Sequence, residues 1–384
     1  MATVEEKPRI QSLDSLRGLA LLGIFLVNMI SFHSPYLYYN PFEWWDAATD
    51  FQNYRWIDIF VQASFYPLFA MMFGFGVAMQ RESAMGRGMS YTLIGVRRFS
   101  FLLFIGVIHA FLIWSGDILI NYAVLGFLLL MFLRLSGKTL IIIGSLLLFI
   151  PTVFLGVLSL LMAKVDPTGV VLWTDIMGIN QSMAAYGSGS FMEITDQRLT
   201  DWLVTNGPDS VVFQLITIFP HLLIGAGAQK LNVFSRWSER PKWAMMTFIS
   251  FFLTGVILKS LPYVVEPNLA YVLIQDFIGG PLLAISYAAL VIALGKWKYA
   301  EKIGRPFASV GRMSLTNYLL QSVIGTLIFY HYGLGFYGQI TLTTGVWLVF
   351  AIFAAQVVLS ELWLSKLKRG PMESLWRKVT YLTK

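Results

Sequence analysis

Leu13-Asp14-Ser15-Leu16-Arg17-Gly18-Leu19-Ala20-Leu21-Leu22-Gly23-Ile24-Phe25-Leu26-Val27-Asn28-Met29 is the stretch whose reading decides the fold. It reads as a membrane-spanning helix, yet it carries a carboxylate, a guanidinium and a carboxamide where polar groups are costly. A rise of about 1.5 Å per residue puts Asn28 about 21 Å from Asp14, so one polar end meets each membrane face. Asp14 and Arg17 are three apart and share one side of the helix. Gly18, Ala20 and Gly23 leave room for close approach by another helix or by a ligand. The pair reads equally well as an interfacial ion pair with a packing seam behind it and as part of a site.

The rest of the chain has the same character. Of its 384 residues 57% are hydrophobic and only 13% charged, which excludes an ordinary soluble domain. Apolar runs of about 20 residues recur, each able to cross about 30 Å of hydrocarbon, and they do not alternate as barrel strands would. The expected class is all-α: one polytopic transmembrane domain over 1–384, in contact with membrane lipids. With no cysteine there is no disulfide framework and no thiolate chemistry. Met1–Arg9 is short and polar, and the run behind it lacks a small-residue cleavage site, so no removable signal peptide is expected. The net charge of +7 follows the membrane topology and does not point to nucleic acid.

Ten spans are expected, at about 13–32, 56–79, 98–115, 117–133, 139–163, 209–229, 242–261, 269–294, 310–330 and 341–365. Connections on one side are basic, among them Arg81, Arg87, Arg97 and Arg98, then Lys296 to Arg312, then the tail 366–384, which ends in Lys384. Those on the other side are acidic, so both termini are expected in the cytoplasm, and the tail is a cytoplasmic basic segment. Two segments on the acidic side are long for connections. Residues 33–55 are rich in Tyr and Trp and suit a membrane interface, while 164–208 reads either as a lid over the outer mouth or as a solvated loop.

Several polar groups fall within the spans. His109 and Asn121 flank the turn at Ser115-Gly116 at similar depth, about 9 Å below it, with Asp117 just above. Imidazole, carboxylate and carboxamide thus converge near the level of Asn28. A carboxylate fixes an imidazole's tautomer, the arrangement of a general base acting on a hydroxyl or amine; the alternative is a buried histidine satisfied by one hydrogen bond. His33 lies just beyond the first span, and His221 follows Pro220, where it reads as a ring bonding a carbonyl freed by the kink. Asp58, Gln62, Lys259, Gln275 and Asp276 either line a cavity or pair among themselves.

On the basic side, Gly311-Arg312-Met313-Ser314-Leu315-Thr316-Asn317 opens the ninth span. Such a helix start, with Arg305, Arg97 and Arg98 in the same compartment, can hold phosphate through backbone N–H groups and guanidinium, or anchor anionic lipid. No carboxylates or histidines have metal-ligand spacing, and no serine sits in a nucleophile elbow, so metal and hydrolase chemistry are poor readings.

These residues resemble a known family. Leu13-Asp14-Ser15-Leu16-Arg17-Gly18 with Asn28, Tyr39-Asn40-Pro41, Leu68-Phe69-Ala70-Met71-Met72-Phe73-Gly74-Phe75-Gly76, Ile108-His109 with Gly116-Asp117-Ile118-Leu119, Gly311 to Gln321, and Gly370-Pro371-Met372-Glu373-Ser374-Leu375-Trp376-Arg377 look like the YeiB family of bacterial membrane proteins. YeiB proteins are in turn similar, mainly over the first three spans, to heparan-α-glucosaminide N-acetyltransferase and other transmembrane acyltransferases. Asp14, Arg17 and Asn28 match that enzyme's opening helix. Its essential histidine follows the Asn by about a dozen residues; here that interval holds Tyr38, Tyr39 and Asn40, which leaves His109 and His33 as the candidate bases.

The resemblance implies an acyltransferase of the bacterial inner membrane that uses acetyl-CoA. The acceptor would be an envelope carbohydrate, lipid or small molecule, and a homodimer is compatible with it. In this expectation Arg17, Arg97, Arg98, Arg305, Arg312, Ser314 and Asn317 hold the CoA phosphates. His109 or His33 acts as base with Asp117 and Asp14 in support, Asn28 donates to the oxyanion, and a water-lined corridor runs beside the opening helix. The competing expectation is a transporter or exporter that uses the same buried groups.

Overall fold

The structure, a computed structural model, describes residues 11–382. The expectations for Met1–Arg9 and for Lys384 lie outside the described residues. Among those described, the regular structure is helical, apart from one antiparallel bridge between Val171 and Asn268. Eight helical segments are long and apolar enough to cross a membrane, and two shorter apolar helices, Leu119–Phe132 and Ser314–Phe329, stand at the other two expected spans. The chain is a multi-pass membrane protein.

The helices, in order, are α1 Gln11–His33, α2 Ala48–Phe60, α3 Phe65–Met85, α4 Tyr91–Ile108, α5 Leu119–Phe132, α6 Gly137–Val165, α7 Ile176–Ser188, α8 Phe191–Asn206, α9 Val211–Thr217, α10 Phe219–Lys230, α11 Val233–Glu239, α12 Pro241–Lys259, α13 Leu261–Val264, α14 Leu269–Ile274, α15 Gly280–Leu294, α16 Ala300–Arg312, α17 Ser314–Phe329, α18 Leu342–Lys366 and α19 Pro371–Tyr381. Two π-helical turns interrupt spans, His109–Ile113 after α4 and Gln275–Gly279 between α14 and α15. The second expected span is broken at 61–64, where Ala63 takes φ 54°.

α1 lies within the bundle and packs on α16, α3, α18 and α17. The small residues expected to admit a neighbour do so: a Cβ on Gly18 would overlap the Phe307 carbonyl, and one on Gly23 would overlap the Phe65 ring. Another helix, not a ligand, fills the space behind the polar pair. Leu21 joins Ala70, Phe99, Tyr122, Leu222 and Tyr318 in the largest core. The outer helices α6, α12 and α18 expose Phe154, Met246 and Trp347, side chains that water would not tolerate in such number but lipid does.

Three segments that read as connections are built structure. The stretch 164–208 forms a two-helix cap, α7 and α8, with Ser190 and Glu193 closing a reciprocal capping box at the start of α8. Tyr38 donates to Asp201 Oδ1 at 2.5 Å, Tyr186 to Asp201 Oδ2 at 2.6 Å, and the His331 N–H to the Tyr186 carbonyl at 2.9 Å, which fasten the cap to the neck after α1 and to the end of α17. Residues 296–312, expected as a basic connection, contain α16. The basic tail contains α19, which packs on α4 and α17. The bundle therefore has a cap end, carrying α7 and α8, and a basic end, carrying α16 and α19.

Candidate functional site

α4 sets two polar groups on one face. Arg98 and His109 are eleven residues apart, three helical turns, so they face the same way about 16 Å apart along the axis. On α1, Arg17 and Asn28 have the same separation. The two helices run in the same direction, so guanidinium groups mark the basic end, while an imidazole and a carboxamide stand toward the cap.

At the basic end the Arg98 guanidinium is held on three sides. Its Nη1 donates to Gln80 Oε1 at 2.8 Å, and its Cζ sits 4.2 Å from the centroid of Trp376 and 5.6 Å from that of Phe73. Trp376 Nε1 donates to the Arg98 carbonyl at 2.9 Å and Gln80 Nε2 to the Tyr381 hydroxyl at 2.7 Å, so α19 ties down both. Arg17 lies within range of the Arg98 charge and beside Gly76, where a Cβ would stand 3.3 Å from its Nη2. Its Nη1 also reaches Asp14 Oδ1 at 3.3 Å, with Asp14 buried. Arg97 is half-buried next to Arg98.

The other expected phosphate ligands are placed elsewhere. Glu373 occupies the start of α17: its Oε1 accepts from the N–H groups of Leu315 at 2.7 Å and Thr316 at 3.1 Å, and its Oε2 from Thr316 Oγ1 at 2.7 Å. The N-terminal anion site beside Ser314 is thus filled by the chain's own carboxylate, which complements the helix dipole there. Asn317 donates to the Val310 carbonyl and to Ser360 Oγ, and Arg312 to the Lys368 carbonyl. Arg305 is exposed and faces Glu361 at 3.4 Å.

Toward the cap, His109 Nδ1 lies 2.8 Å from Asp117 Oδ1, and neither side chain is reached by solvent. Asp117 Oδ2 accepts from the Ile120 N–H at 2.8 Å, which fixes the carboxylate at the start of α5. A carboxylate acceptor selects the Nδ1–H tautomer and leaves Nε2 with its lone pair. That Nε2 is buried and has no hydrogen-bond partner among the described residues. The Tyr318 ring stands 5.1 Å from the imidazole and the Trp114 ring 6.4 Å, and Trp114 packs on Phe32 of α1 at 4.3 Å. The expected open corridor is therefore closed at this level by aromatic rings. Asn28, one turn before Phe32, is half-buried and makes no side-chain hydrogen bond among the described residues.

The convergence expected of Asn121 does not occur, because Asn121 turns to the cap and donates to Asn206 Oδ1 at 2.8 Å. His33 is buried near Phe329, its ring centroid 6.1 Å away, and its carbonyl accepts from Gly338 N–H at 2.8 Å. His221 Nδ1 reaches the Thr217 carbonyl at 2.6 Å, the acceptor its own N–H abandons for Ile218 at the kink. Lys259 pairs with Asp276 at 2.7 Å, as pairing among the intramembrane groups predicts.

The cap's polar core is not evident in the sequence pattern, and α19 lies in what reads as a basic tail. In the cap, burial holds the Asp201 carboxyl above the usual carboxylate range despite the bonds from Tyr186, Tyr38 and Gln197, and burial beside Asp201 raises the Tyr38 phenol. A signal for α19 was present: Pro371 at a helix start, followed by Met372, Leu375, Trp376 and Val379 at helical spacing.

Residues 228–383 match the family model described as "Protein of unknown function (DUF418)". The chain is 35% identical to the uncharacterized protein YxaH of Bacillus subtilis (strain 168), over 98% of this chain and 95% of that one. It is 30% identical to the uncharacterized protein YeiB of Escherichia coli (strain K12), over 96% and 95%. An uncharacterized 39.9 kDa protein in the amylase 3' region of Bacillus acidopullulyticus is 28% identical, over 97% and 94%.

Proposed function

The chain belongs to the YeiB family, and on that premise we propose that it is a transmembrane acyltransferase of the bacterial inner membrane. It would move an acyl group, acetyl in the simplest case, from cytoplasmic acyl-CoA to an amine or hydroxyl at the opposite face. The observation that carries this reading is the matched spacing on α1 and α4: paired guanidinium groups of Arg17 and Arg98 below, the unpartnered Nε2 of His109 and the unpartnered amide of Asn28 above.

In this reading both termini face the cytoplasm. Arg17 and Arg98, with Arg97, hold the CoA phosphates, with Trp376 as a stacking surface for the adenine, and the thioester arm extends from there toward Asn28 and His109. The acceptor attacks the thioester carbonyl carbon, and His109 Nε2 takes its proton while Asp117 stabilises the imidazolium. Asn28 Nδ2–H donates to the oxyanion. As the tetrahedral adduct collapses, the C–S bond breaks and His109 returns the proton to the thiolate. The enclosed imidazole is the resting state, and turnover requires Trp114 and Tyr318 to swing aside. The acidic segments at the cap end suit a cationic acceptor such as an amino sugar.

A small-molecule transporter is the second reading, favoured by the broken second span and the intramembrane pair of buried Lys259 with partly exposed Asp276. Purified protein in nanodiscs, given acetyl-labelled acetyl-CoA and a panel of amino sugars and polyols, separates the two. Label on an acceptor supports acyl transfer, and label retained only on CoA across the panel, with uptake of a solute into proteoliposomes, supports transport.

A further inference from the structure

A second polar cluster lies apart from His109, where α2, α12, α13 and the π-helical turn Gln275–Gly279 meet. Lys259 Nζ is 2.7 Å from Asp276 Oδ1, with the lysine side chain fully buried and the aspartate one-fifth exposed. Asp58 is buried, and both of its hydrogen bonds arrive at Oδ2: from Tyr263 Oη at 2.7 Å and from Gln275 Nε2 at 2.5 Å. The three charged side chains lie within range of one another's charge.

Two carboxylates and one ammonium leave the cluster one negative charge in excess. Among the described residues no other cation forms an ion pair with Asp58 or Asp276. Arg55, on α2, stacks 5.3 Å from the Tyr263 centroid and forms no ion pair with either aspartate among the described residues. The other titratable groups that face the cluster are the phenols Tyr36 and Tyr54 and, on α3, Tyr66. An uncompensated charge buried away from water is costly, and a carboxylate so placed is relieved by taking up a proton. A metal cation is disfavoured because the Lys259 ammonium already stands where it would bind.

The backbone around the cluster is irregular on two sides, at the 61–64 break and at the π-helical turn Gln275–Gly279. The break at 61–64 packs against the start of α15, immediately after the π-helical turn, since a Cβ on Gly280 would overlap the Ala63 carbonyl. Interrupted spans of this kind recur at functional sites.

We infer that Asp58, Lys259 and Asp276 form a proton-binding site, in which Asp58 Oδ1 carries one exchangeable proton that enters past the partly exposed Asp276. Uptake of one H⁺ from water takes the cluster from one net negative charge to none, and release returns it to water by the same side. The site does not depend on the chain being an acyltransferase.

Infrared difference spectra of the full-length protein in nanodiscs, taken across a pH series, test it. The wild type should show one deuterium-sensitive carboxylic C=O stretch that Asp58→Asn abolishes and Asp201→Asn leaves in place. Lys259→Met, which removes the countercharge, should keep that band to higher pH. Should Asp58→Asn fail to fold, Tyr263→Phe removes one bond to the carboxyl and should shift the band to higher frequency. A wild type with no such band, a band unmoved by all three cluster variants, or one that follows sodium concentration instead of pH would overturn the inference.

Discussion

His109 Nδ1 and Asp117 Oδ1 are 2.8 Å apart, eight residues distant in sequence and wholly shielded from solvent. The pair joins the end of α4 to the start of α5, and it leaves the imidazole's other nitrogen directed at no protein group. Breaking it is expensive for the fold, because a buried carboxylate without its partner costs about 3–5 kcal/mol. His109→Ala should therefore both melt earlier and lose acyl transfer, by about 10²–10⁴-fold. Asp117→Asn, which keeps the shape but favours the wrong tautomer, should lose transfer with a smaller change in melting. Turnover and thermal melting measured on both variants check this, and full activity in either removes the pair from the chemistry.

The orientation is open to a direct test because the chain has no cysteine. Met177→Cys, on exposed α7, should react with a membrane-impermeant maleimide added to intact cells. Arg87→Cys, in the exposed turn before α4, should react only after the membrane is opened. Labelling of the second site in intact cells would invert the topology.

α1 and α16 approach so closely at Gly18 that a methyl group meets the Phe307 backbone. Overpacking of this kind costs about 1–3 kcal/mol, because backbone cannot yield as a side chain does. Gly18→Ala should lower the melting temperature in detergent, whereas Gly187→Ala, where a Cβ meets nothing within 4 Å, should not. Equal melting of the two variants would contradict the packing described.

The cap should respond to pH through Asp201. Burial raises its carboxyl above the usual range, so the folded cap binds the proton more tightly than the unfolded chain does. Its contribution is most favourable in acid, below the ordinary aspartate range, and declines as pH rises through the elevated value. Hydrogen exchange across 176–206, corrected for its intrinsic rate, should show protection falling with rising pH in the wild type. In Asp201→Asn the same curve should be flat, and a pH dependence unchanged by the substitution would refute the assignment.

The spans were legible in the sequence because a 20-residue apolar run has one way to satisfy its backbone in lipid. The His109–Asp117 contact was legible too, since a hairpin with its turn at Ser115-Gly116 fixes which residues share a depth. Depth does not fix azimuth, and Asn121, at the expected level, turns to Asn206 instead. α16 and α19 escaped because their charged residues sort them with the basic connections, although each has an apolar face. The occupation of the α17 start by Glu373 could not be read, since it depends on a carboxylate 58 residues further along the chain. The cap's order likewise rests on long-range bonds from Tyr38 and Tyr337, which no local pattern announces.

Acyl transfer by this chain requires a nucleotide-bound thioester to enter at the basic end, beside Arg17 and Arg98. Isothermal calorimetry of the purified protein with acetyl-CoA, paired with thermal melting, tests this most directly. Ligand at a hundredfold excess over its Kd should stabilise the wild type by about 2.7 kcal/mol. Arg98→Ala should weaken binding at least tenfold, while Asn28→Ala should bind normally and fail in transfer. Absence of both heat and a melting shift in the wild type would contradict the central claim.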